Sequence, residues 1–125
     1  DFQQLYLVKK HIEKKYKAKI ISCRTIRDKN KLALSSRNLL LNKKELLRAG
    51  KLAQNVINFK NKLTNKKITK NLINMKKKEL VKKYDIKIEY FELRDLLNLK
   101  VSNTIKNSNF FISYFIKKVR LIDNF

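Results

Sequence analysis

Leu34-Ser35-Ser36-Arg37 brings two adjacent hydroxyls and a guanidinium into four consecutive positions. Hydroxyl and backbone donors beside a planar fork of N–H groups match the oxygens of a phosphate. Group transfer at a nucleotide builds negative charge on phosphate, and donors and cations already in position stabilise it. By spacing alone, a plain turn or a helix lead-in accounts for the two serines just as well. Asp1 and Gln4 lie three apart, so a helical start sets both on one face. Asp1 suits an N-cap or first turn, and the Gln4 amide both donates and accepts. Taken alone, these two are a cap and a surface residue, with Gln3 turned elsewhere. His11 is the one histidine and has no second imidazole or carboxylate cluster beside it. It reads as a partly exposed helix residue, not as a base or ligand. Cys23, in an apolar run without a nearby histidine, reads as a buried structural thiol. No grouping in the chain has metal-ligand spacing.

Periodicity predicts the elements that must carry these residues. Leu5, Val8, Ile12 and Tyr16 make residues 2–16 a helix with one buried face. Residues 18–26 are rich in β-branched types and read as a strand. A polar stretch, 27–31, then leads into the Ser35-Ser36-Arg37 loop. Helix, strand and loop in this order match the end of a Rossmann-like nucleotide fold, where ligands sit beyond the carboxyl ends of strands. Asn42 and Glu45 form a capping-box start, followed by an apolar stripe of Leu46, Ala49, Ala53, Val56 and Ile57 to about Lys60. A second helix is expected from about Thr64 or Lys66 to Lys83, with Ile68, Leu72, Met75 and Leu80 inward. In 86–92, Ile86, Ile88 and Tyr90 alternate with Lys87, Glu89 and Phe91, as in a strand with one polar-leaning face. Segment 94–99 fits neither period. Two more strands, 110–116 and 119–122, flank Lys117-Lys118. With no proline and only Gly50, the turns are expected to rely on Asn and Ser.

A length of 125 residues with 43% hydrophobic content suits one compact domain, or a small domain plus part of another. A single cysteine excludes an internal disulfide and makes a reducing compartment the default. No apolar run approaches the roughly 18 residues that span a bilayer, and the start shows no signal-peptide pattern. The net charge of +22 raises a lysine-rich, basic nucleic-acid-binding module as a competing reading. The lysines, however, are spread along the whole chain among many Asn and Ile, and arginine is scarce. There is no Cys/His finger, aromatic RNA-binding signature or Gly-rich loop. Solvated surface is the better reading of the charge.

Three segments together carry a resemblance. Asp1-Phe2-Gln3-Gln4-Leu5, Leu32-Ala33-Leu34-Ser35-Ser36-Arg37-Asn38 and Arg120-Leu121-Ile122-Asp123-Asn124 resemble, in order and spacing, the carboxyl-terminal half of the pantoate–β-alanine ligases, or pantothenate synthetases. The resemblance implies an α/β fold: residues 1–37 as the tail of a Rossmann-like ATP- and pantoate-binding domain, and 38–125 as a small lid domain of two helices and about three strands. It implies ATP-dependent, amide-forming condensation of pantoate with β-alanine through a pantoyl-adenylate, releasing AMP and pyrophosphate. Asp1, the backbone at Ile26, and Leu34, Ser35, Ser36 and Arg37 would then meet ATP, and Gln4 would meet pantoate. Magnesium would arrive on the ATP phosphates. No catalytic residue is expected here, because the family's histidine motif belongs to the other half. Arg120 and Asp123 are expected in a structural ion pair or turn. A cytoplasmic homodimer is implied for the complete enzyme. Asp1 already stands inside a family motif and no initiator methionine precedes it, so a fragment inactive by itself is expected, with an inactive remnant as the other possibility. The chain departs from the family pattern at Arg24, where proline is usual, at Asn30-Lys31, where Asp-Gly is usual, and at the glycine-free turn around Lys117. The loss of glycine at position 31 matters where the backbone there needs positive φ.

Overall fold

The computed structural model describes residues 2–63 and 67–125. Asp1, with its capping and ATP-site expectations, and positions 64–66, where the second helix was expected to start, lie outside the described residues.

The amino-terminal helical stretch forms as α1 (Phe2–Val8), a π-helical turn (Lys9–Glu13) and α2 (Lys14–Tyr16), closed by Lys17 at φ 50°. Its expected buried face does not form. Leu5 and Ile12 are only partly covered, and Val8 and Tyr16 are exposed. The strand expected over 18–26 is absent as well. A strand exists only where a neighbour takes up its N–H and C=O groups along its length, and among the described residues this segment forms no ladder, only the backbone contact of Ile26 O at its end with Leu34 N. Ile21 and Ile26 are therefore 78% and 72% exposed. Cys23 is exposed too, which corrects its reading as a buried thiol.

The second part folds close to its pattern. α3 (Lys43–Lys62) opens on the predicted capping box: Glu45 N donates to Asn42 Oδ1 at 2.9 Å, and Asn42 N donates to Glu45 Oε2 at 2.8 Å. Ala49, Leu52, Ala53 and Val56 are buried along one stripe. α4 (Lys70–Tyr84) starts at the N-cap Thr69 and buries Ile73, Leu80 and Tyr84. Met75, expected inward, is 61% exposed, because spacings of seven and four put the core stripe through 73, 80 and 84.

Three antiparallel strands follow, β1 (Lys87–Asp95), β2 (Ser108–Ile116) and β3 (Val119–Asn124), in spatial order β1-β2-β3. The register of β1 shifts between Ile88 and Tyr90. A bulge exchanges the two faces of a strand beyond it. Phe91, expected on the polar-leaning face, is therefore buried with Leu93, and it stacks on Phe110 at 4.9 Å. Phe59 of α3 reaches the same Phe110 ring at 5.5 Å. Phe111, on the opposite face of β2, meets Phe2 edge-on at 5.8 Å and so docks α1 to the sheet. Beyond β1, Asp95 Oδ1 accepts from Leu97 N and Asn98 N, an Asx turn that explains why 94–99 has no period.

Turns use Asn and Ser side chains as expected where Asn98 Oδ1 accepts from Lys100 N and Ser102 Oγ from Thr104 N, but the left-handed positions mostly do not. Positive φ falls on Lys17, Lys31, Asp85, Leu99, Asn107 and Lys117, so among the described residues Asn107 alone is one of the expected types. With no spare glycine in the chain, ordinary side chains take these strained positions.

Candidate functional site

A tight turn presents the candidate nucleotide loop. Arg27 pairs with Ala33 across it, and Asp28 Oδ1 accepts from Asn30 N at 2.8 Å and Leu32 N at 2.9 Å. Lys31 stands at φ 70°, in the left-handed region, at the position where the resembled pattern carries glycine. Behind the turn lies Gly50 of α3. A Cβ there would meet Asn30 Cβ at 2.6 Å, so the chain's one glycine lets the turn rest on the helix. Leu32 is buried beside it and anchors the turn to the core.

The loop itself is open to solvent. Ile26 O accepts from Leu34 N at 3.0 Å, which engages the backbone of one expected site residue with another. Ser35, in extended conformation, caps the 3₁₀ turn Ser36–Leu40, and its Oγ accepts from Arg37 N at 3.2 Å. Asn38 Nδ2 donates to Ala33 O at 2.9 Å and ties the turn's two ends together. Leu34, Ser35, Ser36 and Arg37 are all exposed. Arg37 Nη1 donates to Arg120 O at 3.3 Å, a long contact that leaves most of the guanidinium fork turned outward.

Between this loop, α1 and β3 runs a cleft of about 220 Å³. Leu34, Ser35 and Arg37 line it together with Gln3, Asn38, Tyr90, Tyr114, Asp123 and Asn124. Gln3, expected to turn elsewhere, thus faces the cleft, while Gln4, Ile26 and Ser36 are not among its lining residues. The cause is the docking of Phe2 on Phe111, which sets the rotation of α1 and leaves Gln4 on its exposed side. His11 is exposed on the π-helical turn. Burial holds the Tyr114 phenol far above its ordinary pKa, so it lines the cleft as a neutral group. The arrangement gathers hydroxyls, an outward guanidinium and an ordered turn at one mouth, which suits a phosphate-bearing ligand.

Arg120 and Asp123 both form ion pairs, though not with each other. Arg120 Nε lies 2.7 Å from Glu89 Oε2. Asp123 takes both arms of the Arg27 fork, at 2.7 and 2.8 Å. Sequence reasoning gave no site role to Arg27 or the two tyrosines, and quoted Asn38 in the motif without one. Arg27 and Asp123 are 96 positions apart, and no local pattern links them. Among the described residues no group of three His, Cys, Asp or Glu side chains is placed to hold a metal ion, and no helix is long and apolar enough to cross a membrane.

The sequence pattern of the pantoate–β-alanine ligase family matches residues 1–125. A pantothenate synthetase of Flavobacterium psychrophilum is 35% identical over 128 residues, covering 99% of this chain and 45% of that protein. One from Clostridium botulinum is 38% identical over 128 residues, covering 100% and 46%. The chain thus spans less than half the length of the curated relatives it matches. Among solved structures, the Thermus thermophilus pantothenate synthetase superposes with a TM-score of 0.83 at 21% identity, over 100% of this chain and 46% of that one, a likeness of fold. The Francisella tularensis ligase, solved with β,γ-ATP and β-alanine, superposes with a TM-score of 0.64 at 29% identity, over 100% and 40%.

Proposed function

This chain belongs to the pantoate–β-alanine ligase family, and from that premise we propose that it is the carboxyl-terminal part of an enzyme joining pantoate to β-alanine. The reaction runs at the cost of ATP, through a pantoyl-adenylate, and releases AMP and pyrophosphate. One observation carries the reading: Leu34, Ser35 and Arg37 line the same cleft, in a turn tied to the last strand. Pantoate's carboxylate attacks the α-phosphorus, the bond to pyrophosphate breaks, and β-alanine's amine then displaces AMP from the acyl carbon. Charge grows on the phosphate oxygens in the first step, and preorganised donors lower its barrier.

In this reading Asp1, Ile26, Leu34, Ser35, Ser36 and Arg37 serve ATP, with Ile26 acting through its backbone, and Gln4 serves pantoate. Serine hydroxyls and a guanidinium suit phosphate oxygens, and magnesium, carried by the ATP phosphates, would neutralise part of their charge. Residues 1–37 close the nucleotide domain and 38–125 form its lid. The complete enzyme works in the cytoplasm as a homodimer, and the lysines remain solvated surface.

The test compares the 125-residue chain with the complete ligase, following pantothenate and AMP formation from ATP, pantoate and β-alanine. Turnover is expected from the complete enzyme alone. Comparable turnover by the short chain refutes the division of labour, and a complete enzyme inactive on these substrates refutes the reaction.

A further inference from the structure

From Leu34 to Leu40 no residue is buried, so the core does not hold the nucleotide loop beyond Leu32. Phosphate donors are effective only where they stand in place before the charge develops. Some other group must therefore fix this segment. Arg27 has the right connections. Its Nη1 donates to Lys31 O at 2.9 Å and to Asp123 Oδ2 at 2.7 Å, and its Nη2 donates to Asp123 Oδ1 at 2.8 Å and Asn124 O at 2.9 Å. The guanidinium also lies 4.8 Å above the Phe125 ring.

We propose that Arg27, oriented by Asp123, is a positioning residue for the nucleotide loop, which it locks to β3 through the Lys31 carbonyl without touching the nucleotide itself. The Asp123 side chain is 5% exposed and that of Arg27 20%, so the fork is held in a sheltered site where a bidentate pair keeps its geometry. Its carbonyl contact falls on Lys31, the residue in the left-handed region, where the turn has most to gain by relaxing. Released, the turn swings Leu34, Ser35 and Arg37 with it, since Leu34 stands only three positions beyond Lys31. A lysine at position 27 retains the charge but cannot serve two carboxylate oxygens and two carbonyls from one plane. The argument rests on the ATP role of the loop set out under Proposed function.

The experiment uses the complete ligase and measures ATP affinity by calorimetry, KM for each substrate, and thermal unfolding. Arg27→Ala alone leaves a buried carboxylate without its partner and is exposed to misfolding. The main variant is therefore Arg27→Met combined with Asp123→Asn, which removes the pair without stranding a charge. Its ATP affinity should fall at least about tenfold, the scale of losing a charge-assisted contact. KM for β-alanine should stay within about twofold and the unfolding temperature near that of the parent, with Arg27→Lys falling in between. A uniform loss across all substrates, or ATP affinity within about twofold of the parent, overturns the proposal. A parent enzyme that binds ATP but forms no pantothenate overturns the ligase reading alone, and the affinity series still decides the role of Arg27. A parent that binds no ATP overturns both.

Discussion

Glu89 and Arg120 lie on the two outer strands of the sheet and meet across the middle one, with Arg120 Nε 2.7 Å from Glu89 Oε2. From β2 between them, Ser113 donates its hydroxyl to the same oxygen at 2.6 Å. Glu89 falls where the register of β1 shifts, between Ile88 and Tyr90, and this releases its side chain to reach over β2. The Ser113 hydroxyl first, and Arg120 second, hold the Glu89 carboxyl below the ordinary glutamate range. Glu45 is lowered in the same direction by the Lys117 ammonium, 2.7 Å away, and by the Asn42 amide.

Carboxyls lowered in the folded state favour folding above the unfolded value near about 4.3, and that contribution is lost as pH falls through their folded values. Unfolding temperature should thus be flat with respect to these groups from neutrality to about pH 5, then drop steeply. Glu89→Gln and Glu45→Gln should each flatten part of the acid limb and change little in its shape near neutrality. Thermal melts from pH 7 to pH 2.5 provide the check. An acid limb unchanged in both variants would show that these pairs do not couple to folding.

Alanine for glycine inside a helix usually adds about 1 kcal/mol. Gly50→Ala should do the reverse, because the new Cβ would stand 2.6 Å from Asn30 Cβ. Overpacking of this kind costs about 1–3 kcal/mol. Asn30→Gly in the same chain should restore most of the loss. Urea midpoints of the single and double variants decide it, and a Gly50→Ala chain more stable than the parent refutes the contact.

Lys31 carries a left-handed backbone without the freedom of glycine, at φ 70°. Lys31→Gly should raise stability by up to about 1 kcal/mol, or about 3 °C in unfolding temperature, whereas Lys31→Ala should give no gain. Equal effects of the two substitutions would trace the change to the lost lysine side chain and not to the backbone.

Arg37 is exposed, and its guanidinium makes the long contact to Arg120 O. Arg37→Ala in the complete ligase should leave stability within about 0.5 kcal/mol. Adenylate formation should fall by on the order of 3 kcal/mol in the barrier, about a hundredfold. Arg37→Lys should recover only part of the rate, for want of the planar fork, and Ser36→Ala should be milder. Pyrophosphate exchange measured beside thermal unfolding separates the two effects. Normal exchange by Arg37→Ala would remove the phosphate role from this segment.

Wherever one local pattern decided the outcome, the chain was legible before any fold was known. Asn42 and Glu45 specify a helix start within four residues, and α3 begins there. The apolar runs around 88, 112 and 121 become strands because the sheet they need is made from one another. The motif around Ser35 announced the family, since residue types at fixed spacing are a property of sequence. The tertiary structure alone decided the rest. Residues 18–26 are as β-prone as any strand here, yet they have no ladder partner among the described residues and stay irregular. The shift at Glu89 moved Phe91 into the core against its alternation, a change of face that periodicity cannot register. The docking of Phe2 on Phe111 decided that Gln3, and not Gln4, lines the cleft. Asp123 was expected in an ion pair or turn, but its partner Arg27 was an unremarkable polar residue until folding closed the 96 positions between them. Hydrogen-bond partners so far apart are chosen by the packing of whole elements, and a residue's own neighbours in sequence hold no record of that choice.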